Sequence, residues 1–152
     1  MSTRSRIGYV TPEGWVVSSY CHWDGYPSNN GEILKKYYKT KRKVSRLVWL
    51  GSLSSLHRHV STKKQHSFDS PAEGITVAYV RDRKENPEWC EPRVDANVEK
   101  FVKSDVEEWG YLFKDKKWYV IDGHDAPESR KLVPLTDKII EANEIQIEGE
   151  KQ

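Results

Sequence analysis

The sequence predicts a single α+β domain. Its core is a mainly antiparallel sheet built from two β-hairpins and a central strand, with helices packed on one face. Three observations carry this reading. Two apolar segments near the N-terminus, rich in β-branched and aromatic residues, are separated by a Pro- and Gly-containing turn. A second such pair flanks Lys114-Asp115-Lys116-Lys117. The resulting order, β-β-α-α-β-α-β-β, lacks the strict alternation of a doubly wound fold. At 152 residues the chain is the size of one ordinary domain. Residues 1–143 are expected to form it, followed by a disordered acidic tail over 144–152.

Arg6 to Val10 reads as the first strand and Trp15 to Cys21 as the second, with Thr11-Pro12-Glu13-Gly14 turning between them. Trp15 is expected on the inner face of this hairpin. The segment from His22 to Gly31 is dominated by Gly, Pro, Asn and Ser, so it is a loop. A helix follows, with Asn29 or Asn30 as N-cap and Glu32 in its first turn, where the helix dipole favours an acid. Ile33, Leu34, Tyr37 and Tyr38 share its apolar face. A second helix over Lys41–Leu50 places Val44, Leu47 and Val48 on one stripe, and Gly51 ends it. Residues 52–71 are expected to be a long surface loop with a helical turn at Leu53–Leu56. Gly74 to Val80 supplies the central strand, and Arg81 to Arg93 another loop. Val94 to Trp109 has apolar residues at three- and four-residue steps and reads as an amphipathic helix. The second hairpin joins Tyr111–Phe113 to Trp118–Ile121. Leu132 to Leu135 adds an edge strand, because Pro134 disfavours a central one. Thr136 to Ala142 forms a last short helix.

Composition narrows the function classes. The chain is 36% hydrophobic and 32% charged, yet six Trp and eight Tyr argue against a disordered chain. No apolar run approaches the ~20 residues of a membrane-spanning helix. The basic start lacks the apolar stretch of a secretory signal, so a cytoplasmic setting is expected. Cys21 and Cys90 are then expected as free or buried thiols. Neither zinc-type Cys/His spacing nor a cofactor motif is present, so no metal and no cofactor are expected. The net charge of +2 is too small to imply nucleic acid by itself. The distribution is uneven, however: Lys35, Lys36, Lys39, Lys41, Arg42, Lys43 and Arg46 form a basic stretch, whereas Glu141, Glu144, Glu148 and Glu150 make the C-terminus acidic. Such a stretch is either a solvated helix face or a nucleic-acid contact.

Candidate ligand-binding residues fall into three groups. Arg4 and Arg6 lie at the chain start. His22, Trp23, Asp24, Tyr26 and Asn30 belong to the loop His22-Trp23-Asp24-Gly25-Tyr26-Pro27 and its exit. Aromatics beside an acid and an imidazole suit a planar polar ligand such as a base. Open amides near Asn30 and Gly31 would suit a phosphate. Each of these residues can equally be read as a core plug or a turn cap. Tyr79, Arg81 and Arg83 form the third group. If the strand continues, both arginines share a face and suit phosphate or carboxylate. The alternative is a surface ion pair with Asp82. No catalytic set emerges. His59-Val60-Ser61 is a single His-x-Ser step, and Cys21 and His22 point to opposite faces of a strand. Ser2 as an N-terminal nucleophile has no other support.

The start Met1-Ser2-Thr3-Arg4, a hairpin, then Trp23-Asp24-Gly25-Tyr26-Pro27 with Gly31 opening a helix resembles a family of small bacteriophage proteins. Its members begin Met-Gly-Thr-Arg or Met-Ser-Thr-Arg and carry a Trp-Asp-Gly-Tyr-Pro loop. The resemblance spans roughly residues 1–35, and Ser2 stands where many relatives have Gly. It implies a phage origin and the host cytoplasm, but no activity. On this basis the expected function is a non-enzymatic binding protein acting on the host. It would sequester a nucleotide-type defence signal or inhibit a host protein. A small hydrolase using His22 and Asp24 is the alternative, and a nucleic-acid-binding module using residues 35–46 the second. No membrane partner is expected, and the oligomeric state stays open.

Overall fold

The computed structural model describes residues 2–151. Its first hairpin consists of β1 (Ser5–Val10) and β2 (Val16–Cys21), in register from Ser5 opposite Cys21 to Val10 opposite Val16. Gly14 supplies the positive φ of 90° that the turn requires, and its amide donates to the Thr11 carbonyl. Trp15 is not on the inner face: it lies just beyond the last strand pair, in the turn itself, and is 51% exposed.

The chain leaves β2 through the Trp23–Tyr26 loop and a π-helical turn, Pro27–Gly31, that runs directly into α1 (Glu32–Tyr37). Neither asparagine caps this helix, because Asn30 is fully buried and bonded beneath the loop. Helix α2 (Lys41–Val48) is capped by Thr40, whose hydroxyl accepts from the Lys43 amide, and it buries Val44, Leu47 and Val48. Gly51 follows with a φ of 84°.

The expected surface loop instead opens with a buried strand, β3 (Leu53–Ser55), which pairs with a two-residue strand, β4 (Val77–Ala78). The expected central strand is therefore short and marginal. At Tyr79 the chain turns into α3 (Tyr79–Arg83), because the Asp82 carboxylate reaches back to accept from the Ala78 amide at 2.8 Å. Next come β5 (Arg93–Asp95) and α4 (Val98–Lys103). The expected helix from Val94 to Trp109 is thus only six residues long. Asn97 caps its start, and the Ser104 hydroxyl bonds to the Phe101 carbonyl at its end.

The second hairpin is β6 (Trp109–Lys114) and β7 (Lys117–Asp122), with β8 (Val133–Pro134) paired outside it as an edge strand. Finally α5 runs from Asp137 to Lys151. It passes through the residues expected as a disordered tail, because Asn143 is anchored to Ser28 by bonds to its hydroxyl and amide at 2.9 and 3.0 Å. Gln152 and the side chains at 148, 150 and 151, also part of that expectation, lie outside the described residues.

The strand order is β4-β3-β2-β1-β6-β7-β8, with β5 pairing beside the first half of β2. Five of the seven pairings are antiparallel, but β1 runs parallel to β6 and β2 parallel to β3, so the sheet is mixed. Strand alternation gives the sheet two apolar faces. Ile7, Tyr9, Val17, Tyr111 and Val120 meet Leu34, Leu47, Val48 and Ile140 of α1, α2 and α5 on one side. Val16, Leu112 and Ile121 meet Phe101 and Val102 of α4 on the other. Helices therefore cover both faces, not one, because β2, β6 and β7 each carry a buried apolar residue, Val16, Leu112 and Ile121, on the outer side as well. Among the described residues no helix is long and apolar enough to cross a membrane.

Candidate functional site

The Trp23–Tyr26 loop is built into the scaffold from below. The backbones of His22 and Trp23 continue the pairing with Leu53 and Ser54, and Asp24 turns the chain with a φ of 53°. Gly25 then passes under the sheet end, donating to the Thr3 carbonyl and accepting from the Tyr111 hydroxyl at 2.6 Å. A Cβ on Gly25 would lie 2.6 Å from the Ser5 Cβ, so no side chain fits there. Asn30 donates to the Ser5 hydroxyl at 3.1 Å, and its own amide bonds to the Asp24 carbonyl. Of the amides expected to cradle a phosphate, that of Asn30 is taken by the Asp24 carbonyl, and those of Ser28 and Asn29 before it bond to Asn143 and Tyr26.

Above this scaffold a polar aromatic patch reaches the surface. Trp23 is 43% exposed and meets the His22 ring edge-on at 4.7 Å. The Tyr20 hydroxyl lies 2.6 Å from His22 Nδ1. Burial pushes the Tyr20 phenol upward, and the charge of exposed Arg4 opposes it. Burial also raises the Tyr26 phenol, with the Asp24 carboxylate adding to the effect. His57, whose Nε2 lies 3.2 Å from the Ser55 hydroxyl, is pushed down by burial and pulled back up by Asp24. His22, Trp23, Asp24, Tyr26 and Arg4 thus share one region. No hydrogen bond joins His22 to Asp24 among the described residues.

The remaining candidates are engaged with other partners. Arg6 lies across the β1–β2 pair from Tyr20, on the same sheet face, and donates from Nε to the Ser18 hydroxyl at 2.8 Å. Burial, then the charge of Arg93, lowers its pKa to about 10. Arg81 and Arg83 do not share a strand face, because they sit on α3. Arg81 is fully committed to holding the fold. It grips Asp82 with Nε and Nη2, the Val60 carbonyl with Nη1 at 2.6 Å, and the Thr76 carbonyl with Nη2 at 2.6 Å. Arg83 pairs with Glu85 and lies over the Phe68 ring, which also packs on Tyr79.

Sequence reasoning saw only part of a basic region at the other end of the molecule. A cleft of about 500 Å³ opens between α1 and the hairpin β6–β7. Phe113, Trp118, Tyr119 and Leu135 line it, and Lys35, Lys39, Lys116 and Lys117 rim it. Lys35 is partly neutralised by Asp137 at 2.8 Å. A neighbouring depression of about 400 Å³ shares Phe113 and Lys116 and adds Lys41 and Lys114. A third, of about 280 Å³, lies beside α2 and is lined by Thr40, Arg42, Lys43, Arg46, His59, Val60 and Ser61. Nine lysines and arginines and one carboxylate, Asp115, line the three together. Six of these nine belong to the basic stretch 35–46 that the sequence shows. The lysines of the hairpin turn were read only as turn residues, since their approach to α1 depends on how the two hairpins are joined.

Both cysteines are buried and unpaired. Burial pushes the Cys21 thiol up to about 11, against a hydrogen bond from Asn30, and leaves it a poor nucleophile. Among the described residues no group of three His, Cys, Asp or Glu side chains could hold a metal ion. Compared with known protein families, curated proteins and solved structures, the chain matches none.

Proposed function

We propose that the protein works by binding and that it takes a nucleotide-type anion into the cleft between α1 and the β6–β7 hairpin. The observation that supports this reading is the pairing of four lysines, drawn from two separate regions of the chain, with an aromatic and apolar floor. Ammonium groups attract phosphate as point charges, and an apolar wall accepts the flat face of a base. The cleft volume falls in the range usual for small-molecule sites, roughly 300–1,000 Å³. The resemblance to small phage proteins adds a setting, in which removing a host nucleotide signal would itself be a function.

Calorimetric titration with a panel of nucleoside mono-, di- and triphosphates tests this, with the nucleotide recovered afterwards and weighed by mass spectrometry. Lys39→Glu with Lys117→Glu should weaken binding at least tenfold, about 1.4 kcal/mol, and the nucleotide should come back unchanged. Undiminished binding by that double variant would remove the cleft from the proposal. Hydrolysed nucleotide would move the His22–Asp24 hydrolase reading ahead.

A second reading, inhibition of a host protein, is favoured by the exposed Trp23 beside Tyr20 and His22. Tryptophan and tyrosine dominate the energetics of protein interfaces. Under this reading Trp23→Ala abolishes the effect on the host while nucleotide binding at the cleft persists.

A further inference from the structure

We infer that the depression between α2 and residues 59–61 is a separate phosphate site, with Arg42, Arg46 and His59 as its ligands. Its volume is about 280 Å³ and no aromatic residue lines it, so it suits a tetrahedral oxyanion or a phosphate monoester rather than a base. Two features mark the arginines. They stand one turn apart on α2, and like charges at that spacing repel each other. Neither makes a side-chain hydrogen bond or ion pair among the described residues, and the lining holds no carboxylate. A dianion bridging the two guanidinium groups would relieve the repulsion and use their fork geometry.

The walls are fixed before any anion arrives. Lys43 is already spent: its Nζ donates to the Tyr37 carbonyl at 2.7 Å and the Arg58 carbonyl at 2.8 Å, which ties α2 to the opposite wall. The His59 backbone bonds to Gly74 and Thr76. Arg81 holds the Val60 carbonyl at 2.6 Å and the Ser61 hydroxyl at 3.3 Å. Arg81, expected from sequence as a ligand, is by this inference a positioning residue for the site. The Lys43 amide plays no part, since the Thr40 hydroxyl takes it.

The test is an NMR titration of the arginine Nε–Hε signals with inorganic phosphate, against sodium chloride at matched ionic strength. Saturable shifts at Arg42 and Arg46 with phosphate alone are expected. Arg42→Gln with Arg46→Gln should weaken phosphate binding at least tenfold. Both positions are exposed, so the variant should fold. Lys39→Glu with Lys117→Glu should leave phosphate binding here unchanged, which keeps this outcome separate from that of the nucleotide cleft. Arg81→Lys should weaken phosphate while the wild-type Arg42 and Arg46 remain in place. Equal shifts with chloride would overturn the inference, as would wild-type affinity in the double arginine variant. So would shifts produced only by a single-stranded oligonucleotide and lost in every basic variant alike, which would make this one part of a general polyanion face.

Discussion

Asp82 shows how one side chain can decide a segment. Its side chain is only 4% exposed, and it accepts from the Arg81 fork and the Ala78 amide. His66 faces it at 3.1 Å through Nε2, while Nδ1 accepts from the Ala72 amide. Burial alone would push this carboxyl up, but Arg81, the Ala78 amide and His66 outweigh it and hold it below the ordinary carboxylate range. Asp82→Ala leaves the Arg81 guanidinium and a backbone amide without their partner and should cost about 3 kcal/mol in urea unfolding at pH 7. The sign of the pH dependence follows from the depressed value. The unfolded chain takes up the proton first as pH falls, so the stabilisation is complete above about pH 4 and is lost below it. The gap between wild type and Asp82→Asn should therefore close on acidification, and a gap that widened would contradict the arrangement. Gly25 makes a second case. Gly25→Ala forces a Cβ against Ser5 and should cost roughly 1–3 kcal/mol. Asp24→Asn, one residue earlier, should leave the melting temperature unchanged, because asparagine tolerates a positive φ at least as well.

Elements defined by neighbouring residues were legible in the sequence, and those defined by distant ones were not. Both hairpins, the α2 stripe and the Pro134 edge strand follow from local alternation, turns and breakers. The Gly74–Val80 segment has a strand's composition, but its fate is set by Asp82 and by Arg81 reaching Val60 and Thr76, which no local pattern reveals. Helix α5 was cut short for the same reason, since its anchor at Asn143 is Ser28. For the candidate site, residue types mark the segment 22–26 as a loop, but they do not show that Asn30 is buried beneath it and bonded to Ser5. The β6–β7 turn carries a prediction of its own. Asp115 and Lys116 hold φ values of 51° and 64°, the mirror-image turn that favours Asn-Gly. Lys116→Gly should raise stability by roughly 0.5–1 kcal/mol. It should also weaken nucleotide binding, because Lys116 rims the cleft. A variant that gains stability and keeps full affinity would exclude this lysine from the site.

Across the whole molecule, 25 basic residues nearly balance 23 acidic ones, yet nine of the basic residues line the three depressions with a single acid. Such separation gives a near-neutral protein one strongly attractive end. Nucleotide binding should weaken modestly as salt rises from about 50 to 200 mM. An oligonucleotide that bound more tightly, with a log-affinity slope against log salt of several units, would favour the nucleic-acid reading instead.

The parallel seam between β1 and β6 sets a timetable for the newborn chain. Residues 5–9 are the first of the sheet to leave the ribosome, and their partners at 109–113 come about a hundred residues later. At ordinary elongation rates of roughly 5–20 residues per second, that is a wait of several seconds. During it the β1 edge of the first hairpin has no partner strand, the condition in which nascent chains are captured by chaperones or stick to one another.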